Sequence, residues 1–335
     1  MKASKHSWKS ESQFGEIGKL MNYSSRKAAK AQRVFLVSSF APLRLCGTNL
    51  FLLLIILISF TASHAQSKPK SGSHSTRPGP TMPAETKELL DQAIGVVCTQ
   101  AKLDPKSSVA IDDMQARPSL PLQSPEAREG AERAQRLLPV AKELVITALR
   151  QLQTDYGFQN QPKFNQRMRQ AIARVNSVSR VRPDMESRDN ASVYLSRPHV
   201  ITFGTIFLAG LRSDEGMLSV LAHELTHIAD GDNDGLRLLV AAVGNKASDL
   251  TGLDIHGQRA EEISCDLIGA MVVRTYIVTT PGYESIARRL ARSIQHNCVE
   301  LDEGDEDHLS PRNTIRALLA LNPALVRELL NDRFE

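Results

Sequence analysis

The chain has 335 residues, 41% hydrophobic and 23% charged, enough for one sizeable folded domain plus additional segments. Its formal net charge of +4 is misleading, because residues 1–65 hold nine Lys or Arg against two Asp or Glu; taking these from totals of 41 and 37 leaves 32 basic and 35 acidic residues, a net of −3. Nothing in that remainder calls for a polyanion, and nucleic acid is excluded as an expected partner.

In chain order, a basic region containing Lys19, Arg26, Lys27, Lys30, Arg33 and Arg44 precedes the apolar run LFLLLIILISF at 50–60 and the small residues Ser63 and Ala65. This is the plan of a secretory signal peptide cleaved after Ala65, or of an N-terminal membrane anchor if residues 1–65 are kept. The expected compartment is therefore outside the cytoplasm, periplasmic or secreted. Residues 66–84, rich in Ser, Pro and Gly, read as a flexible linker. Three helical patterns follow between residues 85 and 175, beginning ETKELLDQAIGVVC, EAREGAERAQRLLP and FNQRMRQAIARV, with Leu137, Leu138, Leu144 and Leu149 expected in a core.

Residues 176–335 carry the chemistry. From 215 to 230 the chain reads EGMLSVLAHELTHIAD, with Leu218, Leu221, Leu225 and Ile228 at helical spacing, Asp214 placed to cap the start and Gly231 to stop it. Within it, His223, Glu224 and His227 form H-E-x-x-H. Positions four apart on a helix share a face, so both imidazoles can reach one metal ion, while Glu224 can reach a water beside it as a base. A hydrolytic zinc site takes a third protein ligand. The segment QRAEEISCDLIGAMVV at 258–273 offers Glu262, with Asp266 four residues on to hold a histidine ring N–H; Glu261 is the competing ligand and Cys265 a further alternative. Asp230, Asp232, Asp234 and Gly235 imitate the opening of a calcium loop. The twelfth position, however, is Ala241, and a helix-ending turn is expected instead. Cys98 and Cys298 are expected to form a disulfide, because Cys265 belongs to the second motif helix.

These motifs resemble the HtpX-like and CaaX prenyl protease-type zinc metalloproteases, a gluzincin group with H-E-x-x-H on one helix and Glu-x-x-x-Asp on another. The likeness runs from Asn190 and Ala191 through strand-like segments at 193–195 and 200–203, Gly204 and the motif helix, then through Glu262 and Asp266, and more weakly through HLSPRNTIRAL at 308–318. Only 34 residues (228–261) separate His227 from Glu262, and LRLLVAAVG within them is too short to span a bilayer.

The resemblance implies an α+β, mainly helical zincin core with a small β-sheet, comprising residues 85–335. It implies His223, His227 and Glu262 as ligands of one zinc ion per chain, and Glu224 as catalytic base. His308 and Arg316 are implied as an electrophile or fourth ligand, although Ser310 stands where the family commonly has His before its Pro. The implied activity is endopeptidase cleavage of polypeptides, with misfolded or misassembled envelope proteins as the substrate class. The alternative is a zinc-stabilised periplasmic chaperone or assembly factor that cleaves little. The last residues, TIRALLALNPALVRELL, read as one more helix.

Overall fold

The computed structural model describes residues 82–104, 106, 117–194, 196–231, 235–298 and 304–331. The expected leader at 1–65 and nearly all of the expected linker at 66–84 lie outside the described residues, as do Asp232 and Asp234. At the linker's end, Met82 packs against the core and a helix has begun by Ala84. Described here are ten α-helices and three short strands, an α+β fold that is mainly helical. Among the described residues no helix is long and apolar enough to cross a membrane.

The three helical patterns become α1 (Ala84–Leu103), α2 (Pro125–Asp155) and α3 (Pro162–Ser177). Helix α2 starts at an N-cap, Ser124, whose hydroxyl accepts from Ala127 N, and has Pro125 at its first position, where the missing N–H costs nothing. It continues through Pro139, because Leu137, Leu138, Val145 and Leu149 on its inner face are buried on both sides of that residue. Leu144 is half-buried at the edge of the same core.

A three-stranded sheet follows: β1 (Arg180–Asp184), β2 (Ala191–Val193) and β3 (Val200–Gly204), in the order β1-β3-β2. Strand β3 is buried throughout, pairing in parallel with β1 (Val181 opposite Ile201) and antiparallel with β2 (Ala191 opposite Phe203). Sequence reading places the first strand at 193–195, whereas pairing begins two residues earlier. It gives no sign of β1, where Val181 is the one aliphatic residue among Arg, Pro and Asp. Pro183 is tolerated because β1 is an edge, and the side chain of Gln135 on α2 accepts from the N–H of Val181.

After α4 (Thr205–Gly210) comes α5 (Asp214–Asp230), the H-E-x-x-H helix. Its N-cap is Ser213, not Asp214: the Ser213 hydroxyl accepts from Gly216 N at 3.0 Å, while Asp214 turns out to Arg136. It ends at Gly231 (φ 69°), and Arg174 of α3 donates to the exposed carbonyls of Ile228, Ala229 and Asp230. Asp230 accepts from Leu236 N, so this first acid of the calcium-like pattern serves the turn. Leu218, Leu221, Leu225 and Ile228 are all wholly buried, and α2, α3, α7 and α8 surround the helix.

Helix α6 (Arg237–Thr251) leads to α7 (Gln258–Thr279), which packs along α5. At Gly269 a side chain would lie 3.1–3.2 Å from the Ser219 backbone and hydroxyl, so glycine lets the two helices come close. Helix α8 (Ile286–Ile294) and a short 3₁₀ turn (Gln295–Asn297) precede Cys298, which forms the expected disulfide with Cys98 of α1.

The terminal segment is two helices rather than one, α9 (Pro311–Leu321) and α10 (Pro323–Asn331). Pro323 has no N–H and pushes Asn322 out of the helical region (φ −129°, ψ 76°); the Asn322 side chain then accepts from Leu325 N and caps α10.

Candidate metal centre

Helices α5 and α7 bring the two motifs face to face. His223 Nδ1–H donates to Asp266 Oδ1 at 2.7 Å, and His227 Nδ1–H donates to Glu261 Oε1 at 2.8 Å. A carboxylate can only accept, so each contact places a ring proton on Nδ1, and Nε2 carries a lone pair whenever the ring is neutral. The two Nε2 atoms lie 3.1 Å apart, and Glu262 Oε2 lies 3.3 Å from that of His223 and 3.6 Å from that of His227. Three acceptors therefore converge on one point, an arrangement that repels itself unless a cation or protons stand between them.

The spacing itself tests the fit of a metal. Nitrogen and oxygen donors 2.0–2.2 Å from a tetrahedral ion lie about 3.3–3.6 Å from one another. The observed triangle has edges of 3.1, 3.3 and 3.6 Å. A second, looser group also could hold a metal ion: one ligand atom each from His223, His227 and Cys265 lie within 4.8 Å of one another. The carboxylate triangle is the tighter of the two, and Cys265 is a buried free thiol whose surroundings push its ionisation upward, burial foremost.

The electrostatics agree. Burial alone would lower both imidazoles, yet their neighbours outweigh it and raise both well above the usual histidine range: Asp266 and Glu262 around His223, and Cys265 ahead of Glu261 and Glu262 around His227. Burial would raise Glu262, but the two imidazoles hold it below the ordinary carboxylate range. This is a field that recruits positive charge. Glu224, one residue on from His223, is buried, and that burial raises its carboxyl against the opposing pull of the imidazoles.

His223, Glu224, Glu262 and Asp266 line a cavity of about 290 Å³ together with Asn190, Ala191, Asn297 and His308. No family model matches the chain, and neither a curated protein nor a solved structure is significantly similar to it. The functional reading therefore rests on residues and geometry.

Of the site residues expected from sequence, the structure brings together His223, Glu224, His227, Glu262 and Asp266, and places His308 at the rim with Nε2 3.9 Å from Glu262 Oε1. Arg316 is a correction. Its guanidinium binds Asp91 of α1 at 2.9 Å and Asn313 at 2.9 Å, tying α9 to α1 instead of facing the cavity. Glu261 gains a different role from the one weighed for it, as the partner of His227. Its position explains this: Glu261 and Glu262 are about 100° apart on α7, so one reaches the back of a ring while the other reaches the front. Sequence reading missed Arg259, which shares the α7 face of Glu262 and Asp266 and also lines the cavity.

Proposed function

We propose that this chain is a zinc-dependent endopeptidase with a gluzincin-like core, one zinc ion per chain being held by His223, His227 and Glu262. The observation that carries the reading is the convergence of three acceptor atoms at metal-ligand spacing beside a buried glutamate in one open cavity. Zinc bound there would supply a Lewis acid that polarises a peptide carbonyl and acidifies water near neutral pH. The chain's own residues do the rest. Asp266 and Glu261 fix the tautomers and orientations of the two histidines. Glu224, its carboxyl raised by burial, is suited to take a proton from the attacking water and to return it to the amine that leaves.

A polypeptide substrate suits the cavity wall. Gly204 N donates to Asn190 O, so by antiparallel alternation Ser192 also turns its backbone toward β3, and the N–H and C=O groups of Ala191 and Val193 face away from it. Among the described residues no strand covers that side. An extended peptide could add there, bringing its bonds past Glu224. Export, and misfolded or misassembled envelope proteins as substrates, extend the proposal on the strength of the leader sequence and the family resemblance.

The test is zinc content and casein cleavage for the wild type and Glu224→Gln. Equal zinc with activity reduced at least about 10²-fold in the variant is expected. Equal cleavage by both would sink the assignment of Glu224, and zinc binding without cleavage by the wild type would favour the chaperone or assembly role.

A further inference from the structure

His308 reaches the cavity from a turn, with 56% of its side chain exposed. Packing does not fix such an imidazole; hydrogen bonds must. Asp305 supplies them. Its Oδ1 accepts from the backbone N–H of Asp307 at 2.8 Å, from that of His308 at 2.7 Å and from His308 Nδ1 at 3.0 Å, while Asp305 N donates to His308 O at 3.0 Å. The turn closes tightly on itself: Gly304 has φ 79°, and a Cβ there would lie 2.5–2.8 Å from the backbone of His308, Leu309 and Ser310. Arg259, one turn before Glu262 on α7, donates to Asp305 O at 2.5 Å and so ties the turn to the helix that carries the third candidate ligand.

We propose that Asp305 is a positioning residue that keeps the proton of His308 on Nδ1 and aims Nε2 into the cavity, on the side of Glu262. This rests on the peptidase reading of the site. With Nδ1–H committed to a carboxylate, Nε2 is an acceptor when the ring is neutral and a donor when it is protonated. Either way Nε2 is presented to the substrate's polar groups at the edge of the cavity. Asp305 itself touches no reacting atom.

The experiment compares wild type, His308→Ala, Asp305→Ala, Asp305→Asn and the double variant His308→Ala/Asp305→Ala, each loaded with zinc, on a fluorogenic peptide. Asp305→Ala is expected to lower kcat about tenfold with KM and zinc content unchanged. Asp305→Asn, which keeps the acceptor oxygen, should recover most of that loss, and the double variant should be no slower than His308→Ala alone. Losses that multiply in the double variant would overturn the proposal. A second arm needs no activity: ¹⁵N NMR of the metal-free full chain should show His308 as the Nδ1–H tautomer in the wild type and as a mixture in Asp305→Ala. An unchanged ring spectrum would also overturn it. If the wild type cleaves nothing, the peptidase reading has failed, and the NMR arm still decides whether Asp305 orients His308.

Discussion

Helix α5 enters two charged clusters, and they are built on opposite principles. At its first turn, buried Glu215 meets Arg289 at 2.6 Å, and neighbouring Arg292 binds Asp104 through two contacts (2.5 and 3.1 Å) and Glu284 through two more at 2.8 Å. With Lys106 on Glu284, three carboxylates face three cations. Two turns later, Glu224, Glu261, Glu262 and Asp266 surround two histidines, with Arg259 at the cavity wall held by the carbonyls of Asp254 and Asp305. The first cluster is neutral and joins α1, α5 and α8. The second has an excess of negative charge, which a protein interior tolerates only when it binds protons or a cation. Balance marks a structural network; imbalance at ligand spacing marks a site.

Breaking each cluster should therefore have different consequences. The largest effect is expected at the balanced one: Arg292→Ala strands Asp104, whose side chain is only 3% exposed, without its counter-charge. A loss of about 3–5 kcal/mol in urea unfolding is expected, and a loss under about 1 kcal/mol would show that the network is not structural. At the unbalanced cluster, Glu262→Gln removes one charge from an excess. Zinc affinity, measured by competition with a chromophoric chelator, should fall by more than about 100-fold, beyond the usual cost of losing an outer partner. The metal-free variant should lose less stability than Arg292→Ala, because Glu262→Gln gives up only the pairing of this carboxylate with the two imidazoles. A metal-free variant as unstable as Arg292→Ala would mean that Glu262 is structural.

The smallest effect concerns pH. Glu284 is held down to about 2, chiefly by its hydrogen bond from Arg292 and against burial, with Lys106 adding. Its folded value lies below the unfolded one of 4.5, so its stabilisation is complete above pH 4.5 and is lost as pH falls toward 2. Glu284→Gln should remove that part of the acid sensitivity. About 1 kcal/mol is expected, because 32% of the side chain is exposed and solvent screens the pair. Identical urea midpoints against pH for variant and wild type would contradict it.

The helical regions were legible because their information is local. The Leu218, Leu221, Leu225 and Ile228 spacing, the Gly231 stop and the i, i+4 histidines each follow from the geometry of a single helix. The Glu262 to Asp266 spacing was equally readable, and the structure places both where that spacing required. The Cys98 to Cys298 disulfide follows by elimination among the three cysteines beyond residue 65, Cys46 lying in the expected leader. Misreadings arose where a neighbour decided the outcome. Strand β1 exists because buried β3 needs a partner, and its own residues do not show it. Arg316 matched a motif spacing, yet Asp91, 225 residues away, claims its guanidinium. Asn322 was passed over inside an apolar pattern that Pro323 cuts in two.

The sequence by itself determined which helix holds two imidazoles and a glutamate, because i, i+4 geometry is the same in every α-helix. It also named the carboxylates able to complete the set. Only the tertiary structure decided how Glu261 and Glu262 divide the work, one behind a ring and one in front, and that His308 rather than Arg316 reaches the cavity. Those choices depend on how closely α7 approaches α5 and on where the turn at 304–310 is tied. Distances between segments far apart in the chain arise from packing, and no local periodicity encodes them.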